Sequence, residues 1–294
     1  MAAGFIERLN GARIHKNTIA VLGVDPQLDQ KDAPGVPTGT TLARFCCEIV
    51  EACAELVVAI KPQLAFFEAR GVDGLHALRE VLALARRLDL VTIADAKRGD
   101  IGSTSAAYAD AFLGHGDFAC DALTVNPYLG GDAIEPFIET ARRHGRGLFV
   151  LVKTSNPSSG DFQDLELKGG GSLWEEVARR VAGWGSSLGG DDDNDFSPIG
   201  AVVGATYPDH ARRARSLMPR AVILVPGYGA QGAGADDALA ASRADGSGVI
   251  INASRSLMYA YLKRPELSPA DAAAEAAIAM RGALNAAVQR RVSA

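Results

Sequence analysis

A chain of 294 residues with 48% hydrophobic and 22% charged side chains can bury a large core without disulfides or metals. Its length admits one large α/β domain or two small ones. The formal net charge of −5 leaves no basic excess for a nucleic-acid backbone or an acidic membrane, although local positive groups can still hold a small anion.

Read in chain order, the opening MAAGFIERLN has no apolar signal core. The overlapping FIERLNGARIHK is amphipathic and is expected to cap the bottom of the fold ahead of the first strand. Short apolar runs then recur: TIAVLGVD (18–25), LVVAIKP (56–62), LVTIAD (90–95), CDALTVN (120–126), LFVLVKT (148–154), IGAVVGA (199–205), AVILVPG (221–227) and GVIINAS (248–254). They are apolar on both faces, as strands of a parallel sheet are when covered on both sides. Between them lie segments such as GLHALREVLALARRLD, with apolar residues at three-to-four spacing. The alternation predicts a (β/α)8 TIM barrel, with a doubly wound open sheet as the alternative.

One barrel domain is expected over residues 1–294, with an N-terminal capping helix and a loop-rich insertion at about 155–198. That insertion reads as one helix, LWEEVARRVAGW, between two exposed loops. Its DDDND run lacks the spacing and closing Glu of a calcium loop and reads as solvated charge. Cys46, Cys47, Cys53 and Cys120 show no CxxC or His–Cys spacing for zinc. They are expected to be buried, reduced thiols, which implies a cytoplasmic setting. His15, His76, His115, His144 and His210 occupy no position that demands catalysis. No run approaches the roughly 18 apolar residues of a membrane span, so no membrane partner is expected.

Polar residues gather where the apolar runs end: Asp25, Lys61, Asp95, Thr154 with Ser155, Pro226 through Gln231, and Ser254 with Arg255. In a barrel these ends share one mouth, where active sites sit. Within DAKRGDIGSTSAAYA, Asp95 and Lys97 are two apart and face the same way on a strand. Asp100 follows within a loop turn, so Asp, Lys and Asp can alternate in charge, keeping the lysine protonated. The plainer alternative is a stabilising ion-pair network at the rim. PGYGAQGAG (226–234) and INASRS (251–256) follow strands seven and eight, where barrels cradle phosphate on backbone amides and an arginine. The plainer alternative there is a Gly-rich surface loop.

DAKRGDIGSTSAAYA resembles the D-x-K-x-x-D signature of orotidine 5'-phosphate decarboxylases. PGYGAQG resembles their phosphate-gripping loop and ASRS their last strand-end turn, while VNPYLGGD and VKTSNP look like the longer bacterial subgroup. The resemblance spans strands one to eight. It implies a cofactor-free, metal-free homodimer with shared active sites, acting on orotidine 5'-monophosphate in pyrimidine biosynthesis. It implies that Asp95 and Lys97 lie beside the C6 carboxylate and that Lys97 donates the proton replacing CO2. Asp100 and Thr104 are expected to enter the neighbouring subunit's site. Lys61 links the charge array to the ribose, Asp25 binds a ribose hydroxyl, and Ser155, or the adjacent Thr154, faces the pyrimidine amide edge. Gln231 and Arg255, with Pro226 and Ser254 flanking, hold the 5'-phosphate. Two other readings compete: a magnesium-dependent sugar-phosphate lyase or decarboxylase of the same superfamily, and a non-catalytic phosphate-binding barrel. Lys61 stands where the first would carry an acidic metal ligand, and a pure binder has no use for a lysine flanked by acids.

Overall fold

The structure is a computed structural model and describes residues 3–28, 35–188, 196–205, 207–228 and 234–293. Each apolar run carries one strand: β1 (Ala20–Val24), β2 (Ala59–Pro62), β3 (Val91–Arg98), β4 (Ala122–Val125), β5 (Gly147–Lys153), β6 (Ser197–Val203), β7 (Ala221–Val225) and β8 (Val249–Ala253). All pair in parallel with their sequence neighbours, and β8 returns to β1, which closes the barrel. The open-sheet alternative is thereby excluded.

Burial on both faces explains the continuous apolar runs. Outward residues such as Leu22, Ile60, Leu123 and Val150 pack in one cluster with helix residues such as Ile49, Leu78 and Phe137. Inward residues Val21, Ala59, Val91, Ile93, Phe149, Val222 and Ile250 fill the barrel itself. The amphipathic N-terminal segment forms the helix Phe5–His15, whose Phe5 and Leu9 join that inner cluster and close the bottom. Phe5 meets Phe149 edge-on at 5.9 Å, and a Cβ at Gly147 would strike the Phe5 ring, so the glycine makes room for the plug.

Alternate residues along a strand face the same way. The inward rows therefore climb from apolar to polar: Val21 and Gly23 on β1, then Asp25 just past it; Ala59 and Lys61 on β2, then Gln63, bridged to Asp95; Ile93, Asp95, Lys97 on β3; Ala122, Thr124 on β4. β3 runs three residues beyond its apolar run, because pairing with β4 shifts register and resumes at Arg98, opposite Val125.

The first flank of the 155–198 insertion differs from the exposed loop expected. It forms a 3₁₀ turn (Pro157–Ser159), a short helix (Gly160–Gln163) and a bridge between Glu166 and Ser172 before the helix Leu173–Ser186. The side chains of Gln163 and Asp164 tie it to the end of β5. The DDDND run lies outside the described residues. Cys46, Cys53 and Cys120 are buried and free, and Cys47, expected to be buried, is half-buried on its helix. Burial pushes the Cys53 and Cys120 thiols up to about 12, which leaves them unreactive at neutral pH. Among the described residues no helix is long and apolar enough to cross a membrane.

Candidate active site

Asp95 is the centre of the barrel mouth, and four donors converge on its buried carboxylate. Lys61 Nζ pairs with Oδ2, and Gln63 Nε2 donates to the same oxygen at 3.0 Å. Lys97 Nζ pairs with Oδ1, and Thr124 Oγ1 lies 3.2 Å from it. Burial alone would raise the Asp95 pKa, but the two ammonium groups outweigh it and hold the carboxyl at about 2. Lys61 is 4% exposed. Burial works against its charge, yet Asp95 and Asp25 together raise its pKa above the ordinary lysine value.

Asp25 ends β1 on the far side of Lys61. Burial raises its pKa, opposed by Lys61 and by the Ser254 hydroxyl. Its Oδ1 is buried with no hydrogen-bond partner among the described residues, which leaves an acceptor for an incoming hydroxyl. Ser254 reaches this corner because β1 carries Gly23: a Cβ there would stand 2.0 Å from Ser254 Oγ and 3.0 Å from Asn252 Oδ1. Asn252 Nδ2 in turn donates to Ser254 Oγ at 3.2 Å.

Lys97 adopts a left-handed backbone, φ 49°, sparsely populated for residues other than glycine. Its side chain is 44% exposed at the mouth, unlike buried Lys61.

Asp100 and Thr104 stand apart from this array within the chain. Asp100 is half-buried and its Oδ1 accepts from the Ile101 amide at 2.8 Å. Thr104 is exposed in the first turn of the helix Gly102–Leu113. The alternating set formed within one chain is therefore Asp25, Lys61, Asp95 and Lys97, with Asp100 outside it.

At the end of β5, Thr154 is occupied. Its amide donates to Gln163 Oε1 at 2.9 Å, while its hydroxyl accepts from Gln163 Nε2 at 2.7 Å and lies 2.6 Å from Asn156 Oδ1. Ser155 packs its Cβ over Gly204, where a Cβ would come within 2.8 Å. Pro226 follows β7 and is half-buried; Gln231 lies outside the described residues. Arg255 opens the short helix Arg255–Met258 after β8, is exposed, and pairs with no carboxylate among the described residues. A cleft of about 710 Å³ is lined by Arg255 and Ser256 together with Tyr259 and Lys263, and a second of about 760 Å³ lies beside His210 and Arg213; neither is lined by Asp95, Lys61 or Lys97.

Gln63, Thr124 and Asn252 contribute to the site although their strand ends were read without them. Each lies two residues along the inward row from a residue singled out (Lys61, Ser254) or pairs across with β3, so period-two counting from the strand ends is the signal that finds them. Among the described residues, no three His, Cys, Asp or Glu side chains are grouped to hold a metal. The mouth carboxylates Asp25 and Asp95 already face Lys61, a poor donor set for a divalent cation.

The closed barrel and this mouth define a class: a (β/α)8 protein with a buried aspartate flanked by two lysines at the strand ends and an exposed arginine after β8, suited to an anionic substrate. Residues 28–268 match the family described as orotidine 5'-phosphate decarboxylase / HUMPS, and the chain belongs to that family. It is 44% identical over 280 residues to an orotidine 5'-phosphate decarboxylase of Rhodopirellula baltica, covering 90% of this chain and 91% of that one. It is 43% identical over 289 residues to the protein of the same name from Deinococcus radiodurans, covering 98% and 99%. Its fold is similar to that of Leishmania donovani OMP decarboxylase, with a TM-score of 0.75 at 33% identity over 96% of this chain and 98% of that one.

Proposed function

We propose that this chain is a carboxy-lyase that converts orotidine 5'-monophosphate to uridine 5'-monophosphate in pyrimidine biosynthesis, with no cofactor. The observation that carries the reading is the Lys97 ammonium paired to Asp95 in the barrel mouth beside Lys61. The C6–carboxylate bond breaks, CO2 leaves, and the electron pair remains at C6 with no adjacent electron sink. Lys97 stabilises that charge as it develops and then gives C6 its proton, later regaining one from solvent. Asp95 holds Lys97 in place and, beside the substrate carboxylate, disfavours the bound ground state. Asp25 accepts from a ribose hydroxyl through its open Oδ1, and Lys61 links it to Asp95. Ser155, packed against Gly204 at the end of β5, faces the pyrimidine edge. Arg255 and Gln231, flanked by Pro226 and Ser254, hold the 5'-phosphate, whose binding energy organises the site from a distance.

The assay is the loss of absorbance of orotidine 5'-monophosphate, with and without EDTA. Turnover unaffected by exhaustive chelation is expected. Chelator-killed activity restored by magnesium would instead favour the sugar-phosphate reading.

We further propose that the whole chain acts as one barrel unit, in the cytoplasm, as a homodimer whose sites are shared through Asp100 and Thr104. The supporting feature is an apolar rim beside the mouth, with Ile101 58%, Tyr128 77% and Leu129 50% exposed, which an isologous contact would cover. Mixing Lys97→Ala with Asp100→Ala subunits makes half the dimers mixed, each with one intact site, so about a quarter of wild-type activity should return by symmetry counting. Mixed dimers that stay inactive after verified subunit exchange would place Asp100 in its own subunit's site.

A further inference from the structure

Lys97 presents its ammonium from a left-handed backbone, φ 49°, that residues with a side chain rarely adopt. Something must hold it there, and the local ladder does not: β3 and β4 lose register between Ala94 and Arg98, the stretch that contains Lys97. Into that gap projects one side chain of β4. Thr124 is 1% exposed, and its Oγ1 accepts from both the Ala96 amide at 3.0 Å and the Lys97 amide at 2.9 Å. Two amides that lost their strand partners are thus satisfied by one oxygen. The hydroxyl has one proton to give, and its nearer acceptor is Asp95 Oδ1 at 3.2 Å, ahead of the Ala94 carbonyl at 3.4 Å. That is the same carboxylate oxygen that holds Lys97 Nζ. One hydroxyl therefore anchors the lysine at both ends, its backbone directly and its ammonium through Asp95.

We infer that Thr124 is a positioning residue for proton delivery: it locks the left-handed turn at Lys97 and sets the Asp95 oxygen on which the ammonium rests. The inference rests on the decarboxylase reading for its kinetic consequence, but the anchoring itself is independent of the substrate. A methyl in place of the hydroxyl orphans two buried amides and removes a donor from Asp95. The turn then relaxes, and a displacement of about an ångström at the reacting group is worth up to roughly a hundredfold in rate. Substrate binding at the ribose and phosphate ends, held by other strands, is left in place.

The test compares Thr124→Val, which keeps the shape, with Thr124→Ser, which keeps the hydroxyl. For Thr124→Val, kcat on orotidine 5'-monophosphate should fall roughly tenfold to a hundredfold while KM stays within about threefold. Thr124→Ser should recover kcat to within about threefold of wild type, despite losing a buried methyl. A second readout needs no turnover. In protein labelled with ¹⁵N-lysine, the Lys97 ammonium, assigned by its disappearance in Lys97→Ala, should show slowed proton exchange in wild type and in Thr124→Ser, and fast exchange in Thr124→Val. Near-normal kcat and an unchanged ammonium signal in folded Thr124→Val would overturn the inference. So would equal losses of kcat and KM in both variants, which describe a general packing defect. If wild type itself fails to turn over the nucleotide, the functional reading falls, and the ammonium signal alone decides whether Thr124 anchors Lys97.

Discussion

The two ends of the barrel each bury an aspartate among cations, and they treat it differently. At the bottom, Asp121 Oδ1 takes Arg8 and Arg146, and its Oδ2 accepts from the Thr92 amide at 2.9 Å and the Thr92 hydroxyl at 3.0 Å. Arg8 belongs to the plug helix Phe5–His15, Thr92 lies in β3, and Asp121 directly precedes β4. At the top, Asp95 also collects four donors, but its surroundings are less complete: among the described residues an Asp25 oxygen has no partner and Arg255 pairs with no carboxylate, and Lys97 is strained and half exposed. Both ends are charge networks of similar density. Among the described residues each end keeps a buried polar atom unpaired, Arg146 Nε at the bottom and Asp25 Oδ1 at the top, so what distinguishes a site from a clamp is an unused acceptor beside a strained, half-exposed lysine that a substrate can take up.

That contrast is broken most sharply at Lys97. Lys97→Ala should lose at least about a hundredfold in kcat, the scale of a missing general acid, while its melting temperature stays near that of wild type. A folded variant with near-normal turnover removes Lys97 from the chemistry and makes the top a clamp like the bottom. The mirror experiment is Asp121→Asn. It unpairs Arg146 and leaves Arg8 only its exposed partner Asp89, and both arginines are a quarter exposed, so the loss should fall somewhat below that of a fully buried pair, at about 2–4 kcal/mol. Thermal or denaturant unfolding measures that loss, and kcat per folded molecule should stay within about twofold. A large fall in kcat at unchanged stability would show that the two ends are coupled. Arg255→Ala sharpens the picture at the phosphate: a charge-assisted contact is worth about 1.5–3 kcal/mol, so kcat/KM for the nucleotide should fall at least about tenfold. The phosphate-free nucleoside should be nearly unaffected, and equal losses on both substrates mark Arg255 as structural.

The same contrast explains what the sequence disclosed. Strands buried on both faces announce themselves as unbroken apolar runs, so the order of eight strands and the plug were legible from hydropathy alone. The strand ends disclosed Asp25, Lys61, Asp95 and Lys97, because a charge at the end of an apolar strand is conspicuous. Thr124 and Gln63 were not conspicuous: a Thr inside LTVN reads as an ordinary strand residue, and its role depends on a register shift in the neighbouring strand. The clasp from Gln163 and Asp164 to β5 stayed hidden because Gly, Ser and Asp in that insertion read as loop, and loop composition carries no record of distant partners. Asp100 could not be placed by spacing, since three residues from Lys97 is near in sequence but, after a left-handed turn, lies outside the array.

The smallest expected effect separates the two mouth carboxylates from each other. Burial raises the Asp25 pKa, so its charge costs stability at neutral pH; that cost is absent below the unfolded carboxyl value of about 3.9 and is present in full once the pH has passed the folded pKa. Asp95 has the opposite sign: held at about 2 in the fold, it contributes stability above about 3.9 that is lost as pH falls toward 2. Asp25→Asn keeps the shape and an acceptor oxygen while removing the costly charge. Its melting temperature should therefore exceed that of wild type at pH 7, by a few degrees at most, and the gap should close as the pH drops below about 4. KM for the nucleotide should rise several-fold, because a neutral amide oxygen accepts a ribose hydroxyl more weakly than a carboxylate does. Lys61 keeps Asp95 as a partner, so the array survives the change. A variant less stable than wild type at pH 7, or a stability gain that is the same at pH 7 and pH 3.5, would mean that the Asp25 charge is comfortable where it sits. Asp25 would then be a structural carboxylate stabilised by Lys61, and the ribose would have to be held elsewhere in the mouth.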